Sequence, residues 1–150
     1  MFDVNIYIIT SIRGPAIRRA AGEWIVEFVL RDGTPVTRSG MVYKDRTTEN
    51  ALVLELIRDA FSILTKSCSV RVNTECEHVL NIMQNHILPI WEKNGWNNAR
   101  GNLVKNMELW QQCKELMDNH LVEVDRSMHS YYMVMKEDVK KELERRTENV

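Results

Sequence analysis

The segment from which the fold can be predicted is Val4-Asn5-Ile6-Tyr7-Ile8-Ile9, followed directly by Thr10-Ser11. Five of its first six residues are apolar or aromatic. A nearly continuous apolar run of this length is typical of a strand that is covered on both faces, and therefore of a central strand in an α/β sheet. Ligands of α/β proteins bind beyond the carboxyl ends of such strands. The sequence therefore directs attention to Ile9-Thr10-Ser11, which contains neither an acid nor a base.

The composition is that of an ordinary globular protein. The 150 residues are 44% hydrophobic and 27% charged, with a net charge of −1. This length suits a single domain, 1–150, and the small net charge means that any surface attracting nucleic acid is local. The three cysteines form no CxxC motif and are expected to be reduced thiols, which predicts a cytoplasmic protein. No apolar run approaches the ~20 residues of a transmembrane helix, so no membrane partner is expected.

The pattern of apolar residues predicts five strands and four helices. The strands are predicted at 4–9, 23–30, 36–43, 69–74 and 121–124, and the helices at 47–66, 77–86, 107–119 and 136–146. The turn at Asp32-Gly33 makes the first three strands an antiparallel meander. The order βββαβααβα predicts a mixed five-stranded α/β sheet, with parallel strands added to the meander and helices on both faces.

Three further segments complete the prediction. Residues 91–103 contain two tryptophans with glycines and asparagines, which predicts a loop-rich excursion. Pro89 is expected to interrupt the helical structure before this excursion. Residues 125–135 are predicted to be irregular. The helix at 136–146 carries nearly equal numbers of acids and cations, which favours a mainly solvated helix.

Several motifs carry a family likeness. They are Trp91-Glu92-Lys93-Asn94-Gly95-Trp96, the stretch Val104-Lys105-Asn106-Met107-Glu108-Leu109-Trp110-Gln111, Thr47-Thr48-Glu49-Asn50, Thr74-Glu75-Cys76, and Gly14-Pro15 after the first strand. With these motifs the chain resembles the bacterial type I ribonuclease H family over residues 4–125. The first motif resembles that family's handle, a basic excursion, which would cover about residues 88–105.

The resemblance implies a two-metal nuclease site. The family hydrolyses the RNA strand of RNA–DNA hybrids with two magnesium ions held by four acids, since one metal activates the attacking water and the other stabilises the leaving oxygen. The family's register places these acids at Ile9, Val53, Glu75 and Asp138, with Glu142 as a rival for the last. His129 falls near the place of an assisting histidine.

Two of the four metal-ligand positions therefore hold apolar residues. Two divalent ions bring four positive charges, whereas Glu75 and Asp138 supply only two negative ones. Magnesium requires oxygen ligands, which Ile9 and Val53 lack. The sequence predicts a catalytically inactive protein with no cofactor. Mg²⁺ or Mn²⁺ would be expected only if other acids, such as Glu49, rebuilt the site.

The resemblance also implies a surface for nucleic acid. Lys93, Trp96, Arg100 and Lys105 would lie in or beside the handle, where cations meet phosphates and aromatic rings meet sugars or bases, and Thr48 and Asn50 keep part of the family's polar contact. The expected ligand is an RNA–DNA hybrid or double-stranded nucleic acid. The tryptophans have an alternative interpretation, which is that they pack the excursion onto the body.

Three functional hypotheses remain open at this point. The leading one is a non-catalytic nucleic-acid-binding protein. The second is an active RNA–DNA hybrid ribonuclease with rearranged metal ligands. The third is an interaction or assembly protein that retains only the fold and binds a protein partner or a second copy of itself.

Overall fold

The computed structural model describes residues 1–148, and Asn149 and Val150, the last two residues of the predicted domain, lie outside the described part. Five strands form one sheet in the order β3-β2-β1-β4-β5. They are β1 (Phe2–Thr10), β2 (Arg18–Val29), β3 (Pro35–Thr47), β4 (Cys68–Asn73) and β5 (Leu121–Asp125). The first three strands are antiparallel, whereas β4 runs parallel to β1 and β5 parallel to β4. The predicted mixed sheet is confirmed, with the first strand at its centre.

Helices cover both faces of this sheet. They are α1 (Glu49–Ser62), α2 (Glu77–Gln84), α3 (Ile87–Lys93), α4 (Met107–Met117) and α5 (Tyr132–Glu148). Successive side chains of a strand point to opposite faces. Accordingly, Ile6 and Ile8 belong to the main core, which also contains α1 and α4, while Ile9 belongs to a second cluster under α5. The end of β1 is therefore covered on both faces, as its sequence predicts.

The last helix differs from the prediction. It begins at Tyr132, so the expectation of an irregular segment up to residue 135 is wrong for the last four residues. It is also more than a solvated helix, because Met135 is 0% exposed and Val139 2% exposed against the sheet. These two residues are four positions apart and share one helical face. A predicted helix that starts at residue 136 leaves out Met135, so the apolar face formed by Met135 and Val139 is not recognised.

The excursion also contains more regular structure than its composition suggests. Helix α3 runs through Pro89, which is its third residue. A proline in the first turn removes no helical hydrogen bond, because the N–H groups there have no partner within the helix. The predicted interruption at Pro89 is therefore wrong, and the loop begins only after Lys93.

Other boundaries shift by a few residues. Strand β2 starts at Arg18, five residues before its predicted start, and α1 ends at Ser62. The Thr48 hydroxyl caps α1 by accepting a hydrogen bond from the Ala51 N–H at 3.2 Å. All three cysteines are free and buried, as expected for reduced thiols. Within residues 1–148, none of the helices is both long enough and apolar enough to span a bilayer.

Candidate functional site

Apolar side chains occupy the end of β1 and the facing turn of α1. Ile9 is 3% exposed and packs under α5, and Val53 is 2% exposed in the main core. Both line a small cavity together with Glu75. The cavity has a volume of about 10 Å³, which is at the lower limit for one water molecule. The cavity is too small for two metal ions and their water ligands.

Glu75, the second residue after β4, is the acid that the resemblance predicts as a metal ligand at this edge of the sheet. Its Oε2 atom forms an ion pair with Arg13 from the β1–β2 loop, and lies 3.5 Å from the Lys136 Nζ atom of α5. Arg13 also donates to the backbone carbonyl of Glu75 at 3.3 Å. The negative charge of Glu75 is therefore balanced by two protein cations.

Glu49 extends the same network. Its Oε2 atom lies 3.7 Å from Arg13, and its Oε1 atom accepts a hydrogen bond from the Gly14 N–H at 3.1 Å. Arg13, Glu49, Glu75 and Lys136 are here called the Arg13 cluster. The cluster ties the loop after β1 to the start of α1, the end of β4 and α5. Glu49 thus lies near the predicted metal-ligand positions, where the Arg13 guanidinium stands between it and Glu75.

Asp138 faces a different carboxylate. It lies beside Glu23 on β2, which is 8% exposed and whose Oε1 atom has no hydrogen-bond partner. Burial, and then the charge and hydrogen bond of Asp138, raise the pKa of Glu23 to about 7. Glu23 is the neighbour of Ile9 across the β1–β2 pair, so both side chains lie on the α5 face.

Glu23 is not among the predicted site residues, although the alternation of its strand indicates that its side chain is buried. Residues 23–30 were predicted as a strand, and strand alternation places Glu23, Ile25 and Glu27 on one face. Ile25 is 8% exposed, so that face is buried and its acids need partners. Glu27 has three, since it accepts hydrogen bonds from Asn5, Tyr7 and Tyr131.

The rival acid Glu142 lies in neither group. It pairs within α5 with Arg145 at 2.6 Å and Arg146 at 2.9 Å, and these hydrogen bonds lower its pKa. The described residues contain no group of three or more His, Cys, Asp or Glu side chains that could hold a metal. The acids near the end of β1 form two separate pairs. Arg13 bridges Glu49 and Glu75, and Glu23 of β2 faces Asp138 of α5. The residues present do not fit the two-metal centre that the family implies.

The His129 side chain packs against aromatic rings. Its ring stacks on Tyr7 with the ring centroids 4.2 Å apart, and it also contacts Tyr131 and Tyr132. Both ring nitrogens are buried without a hydrogen-bond partner, and burial lowers the pKa of the ring. The structure therefore places this histidine among tyrosines on the α5 face.

A groove of about 510 Å³ lies over the Arg13 cluster. Thr48, Asn50 and Lys105 of the predicted nucleic-acid surface line it, together with Arg13 and Arg126. The side chains of Thr48 and Asn50 also have structural partners, because Thr48 caps α1 and the Asn50 side-chain carbonyl accepts a hydrogen bond from a buried thiol. The structure thus brings three predicted binding residues together with two additional arginines. Three acids, Glu49, Glu75 and Glu77, line the same groove and equal its cations in number.

Two cations of the handle, Lys93 and Arg100, lie outside this groove. Lys93 and Arg100 are exposed, as is Lys105. Of the ion pairs formed within residues 1–148, none involves these three side chains. Glu92, the chain neighbour of Lys93, lies 3.4 Å from the Lys114 ammonium. The positive charge of the handle is therefore available to a ligand.

The tryptophans of the handle pack onto the body. The Trp91 ring lies 5.9 Å from the ring of Trp110, which is fully buried, and 6.5 Å from that of Trp96. Trp96 has φ = 63°, a left-handed conformation that is uncommon for a bulky residue. Its backbone N–H donates to the Trp91 carbonyl at 2.7 Å. Trp96 is half-buried, so packing explains part of its position and leaves one portion of the ring accessible.

Comparisons with known proteins agree with the fold. The family model for RNase H matches residues 10–126. A ribonuclease H of Clostridium botulinum is 31% identical over 122 residues, which cover 81% of this chain and 80% of that protein.

Two solved structures show the same fold. A type 1 RNase H with the type 2 active-site motif gives a TM-score of 0.71 at 21% identity, covering 92% of this chain and 68% of that chain. The foamy viral protease-reverse transcriptase in complex with an RNA/DNA hybrid gives a TM-score of 0.65 at 18% identity, covering 87% of this chain and 18% of that chain. On the family model and the curated relative together, the chain belongs to the RNase H family.

Proposed function

We propose that this protein is a non-catalytic RNase H family member that binds nucleic acid, with an RNA–DNA hybrid as the first candidate ligand. The observation that carries the proposal is the burial of Ile9 and Val53, which are 3% and 2% exposed at two of the four metal-ligand positions. Apolar side chains there supply no oxygen to a metal, and they fill the space that its waters would need.

The retained acids support the same conclusion. Glu75 is already neutralised by Arg13 and Lys136, so a metal would have to displace a cation that is part of the protein. Asp138 faces Glu23 instead of Glu75. Each lost 1.4 kcal/mol of transition-state stabilisation lowers the rate about tenfold. Losing two ligands and the charge of a third therefore removes the basis for two-metal hydrolysis.

The binding part of the proposal rests on the available cations. Lys93, Arg100 and Lys105 are exposed, and the last of these lines the groove over the Arg13 cluster. Cations arranged along a surface bind the phosphate backbone and release counterions, which makes affinity depend steeply on salt. A hybrid is the first candidate because the relatives are ribonucleases H and one structural neighbour was solved with an RNA/DNA hybrid.

A second candidate function is a hybrid ribonuclease with relocated ligands. The position of Glu23 favours it, because this carboxylate lies beside Ile9 and faces Asp138. Together with Glu49 and Glu75 the region contains four acids, which is the number that the family uses. They form two separate pairs in the structure, so activity would require the two pairs to be brought together.

The first prediction is that the protein binds a labelled RNA–DNA hybrid without cleaving it. Fluorescence anisotropy should show binding in EDTA at least as tight as in Mg²⁺, because Mg²⁺ is not required and competes for the phosphates. The logarithm of the affinity should fall linearly with the logarithm of the salt concentration. Replacing Lys93 and Lys105 together with glutamine should reduce that slope by about 2, or about 1 per lost phosphate contact. Gel electrophoresis of the same mixtures should show intact RNA in Mg²⁺ and in Mn²⁺.

The matched control replaces Lys66 and Lys141 with glutamine, which removes the same charge away from the groove. This variant should bind like the native protein. RNA cleavage that is abolished by Glu75→Ala or Asp138→Asn would establish the second candidate and exclude the inactive protein. A native protein that fails to bind the hybrid even at low salt would leave the interaction or assembly role, with a protein partner or a second copy as ligand.

A further inference from the structure

Two cations from distant parts of the chain converge on one oxygen atom. The Arg13 guanidinium and the Lys136 ammonium both contact Oε2 of Glu75. Arg13 is delivered by the loop after β1, and Lys136 by the first turns of α5. In the family register Glu75 is a metal ligand, so these two cations contact the atom that a metal would otherwise bind.

The cations lie outside the acids. The side chains of Arg13 and Lys136 are 50% and 35% exposed, whereas those of Glu75 and Glu49 are 19% and 15% exposed. A metal centre has the same order, with carboxylates within and positive charge facing the substrate. The cluster has no net formal charge, because it contains two cations and two acids, but its cations lie on the outer side, where a ligand would approach.

Open space adjoins both cations. Arg13 lines the groove of about 510 Å³ that also contains Lys105, and it lines a second cavity of about 460 Å³ against α5. Lys136 and Lys140 line that second cavity as well. The groove is lined by as many acids as cations, whereas the cavity against α5 is lined by three cations and one acid, Glu137. Arg13 thus lies between the two clefts, of which the second is basic.

The two cations share a single carboxylate oxygen, Oε2 of Glu75. Together with Lys140 they give the cavity against α5 an excess of positive charge, so a further anion there would be favourable. The planar guanidinium suits an oxyanion with several acceptor oxygens, such as a phosphate.

We propose that Arg13 and Lys136 replace the two metal ions as the groups that bind a backbone phosphate, so that the protein engages nucleic acid without any divalent cation. The inference rests on the proposed nucleic-acid-binding function and assigns its central contact. The phosphate would be held by protein cations above Glu75, while Lys105 and the other handle cations, Lys93 and Arg100, contact the backbone further along.

The test compares four single variants of the full chain with the native protein. Arg13→Gln and Lys136→Gln remove the two cations, and Arg19→Gln and Lys141→Gln remove exposed charges of the same type from the neighbouring strand and from the same helix.

Hybrid affinity in EDTA should fall about tenfold or more for each of the first two, the size expected for a lost charge-assisted hydrogen bond. The salt slope should fall by about 1 for each of them. The two control variants should stay within about twofold of the native protein. Thermal melts establish that all four are folded.

A second measurement separates this inference from the proposed function. Inorganic phosphate is titrated at constant ionic strength and followed by the NMR signal of the Arg13 side chain and by the melting temperature. Phosphate should shift the signal of the native protein and stabilise it, but leave the melting temperature of Arg13→Gln unchanged. Phosphate binding without hybrid binding would retain the phosphate site and overturn the proposed function. If Arg13→Gln and Lys136→Gln bound the hybrid as tightly as the native protein, the phosphate site would be overturned and the proposed function retained. The same conclusion would follow if hybrid binding were lost in EDTA and recovered in Mg²⁺.

Discussion

Replacing Glu23 with glutamine is expected to stabilise the protein at pH 8 by on the order of 3 kcal/mol. Glu23 is 8% exposed, it faces Asp138, and one of its oxygens has no hydrogen-bond partner. Its pKa rises from 4.5 to about 7 on folding. At pH 8 the native protein therefore holds an ionised carboxylate in a buried position next to another acid. Glutamine keeps the shape, carries no charge and can donate to Asp138.

The sign of the pH dependence follows from proton linkage. Between pH 4.5 and about 7 the native state retains a proton on Glu23 that the unfolded state has released. The contribution of Glu23 to the free energy of unfolding therefore falls as the pH rises through this window, and it is constant above it. The gain from Glu23→Gln should be near zero at pH 4.5 and complete at pH 8. Urea denaturation at each pH measures it, and comparison with the native protein cancels the contributions of the histidines.

Glu27→Gln is the matched control, because it makes the same change on the same face of β2. Glu27 accepts hydrogen bonds from Asn5, Tyr7 and Tyr131, so glutamine there loses acceptor capacity and should destabilise the protein. The two substitutions are thus predicted to have opposite signs. A Glu23→Gln variant that is no more stable than the native protein at pH 8 would contradict the assignment of a strained carboxyl pair.

Restoring an acid at Ile9 is expected to cost stability. Ile9 is 3% exposed among Ala21, Met135 and Val139, and its cross-strand neighbour is Glu23. Ile9→Asp would bury a third carboxylate beside an existing pair, and we expect a loss of about 3–5 kcal/mol in the free energy of unfolding at pH 8. Ile9→Val, which removes only a methylene group, should cost about 1 kcal/mol.

Divalent metal should distinguish these variants. Three carboxylates on the α5 face would form a site for Mg²⁺, so millimolar Mg²⁺ should raise the melting temperature of Ile9→Asp. The native protein and Ile9→Val should not respond. An Ile9→Asp variant as stable as Ile9→Val in the absence of metal would show that the end of β1 is less tightly covered than the structure indicates.

Features encoded locally were predictable from the sequence. The apolar run 4–9 gave the central strand, because burial on both faces leaves a continuous signal within a few residues. The motif around Trp91 and the stretch from Val104 indicated the family. Ile9-Thr10-Ser11 and Thr47-Thr48-Glu49-Asn50 then supplied the prediction that Ile9 and Val53 stand at metal-ligand positions. Each of these inferences depends on neighbours in the chain.

The partners within the site were not predictable in the same way. Arg13, Glu75 and Lys136 come from three separate elements, and nothing in their local sequence indicates that they meet. Asp138 could be assigned by position, but its orientation towards Glu23 depends on how α5 lies on the sheet. The one missed local signal is the face of β2, where alternation already groups Glu23 with the buried Ile25.

The account depends on the loss of the metal centre, and a calorimetric titration of the native protein with Mg²⁺ and Mn²⁺ tests it most directly. Apolar Ile9 and Val53, and a Glu75 that is paired with two cations, predict no saturable heat at millimolar metal, at pH 8 and low ionic strength. The same titration of Glu75→Ala should be indistinguishable from it. Saturable binding of two ions by the native protein, lost in Glu75→Ala, would contradict the account.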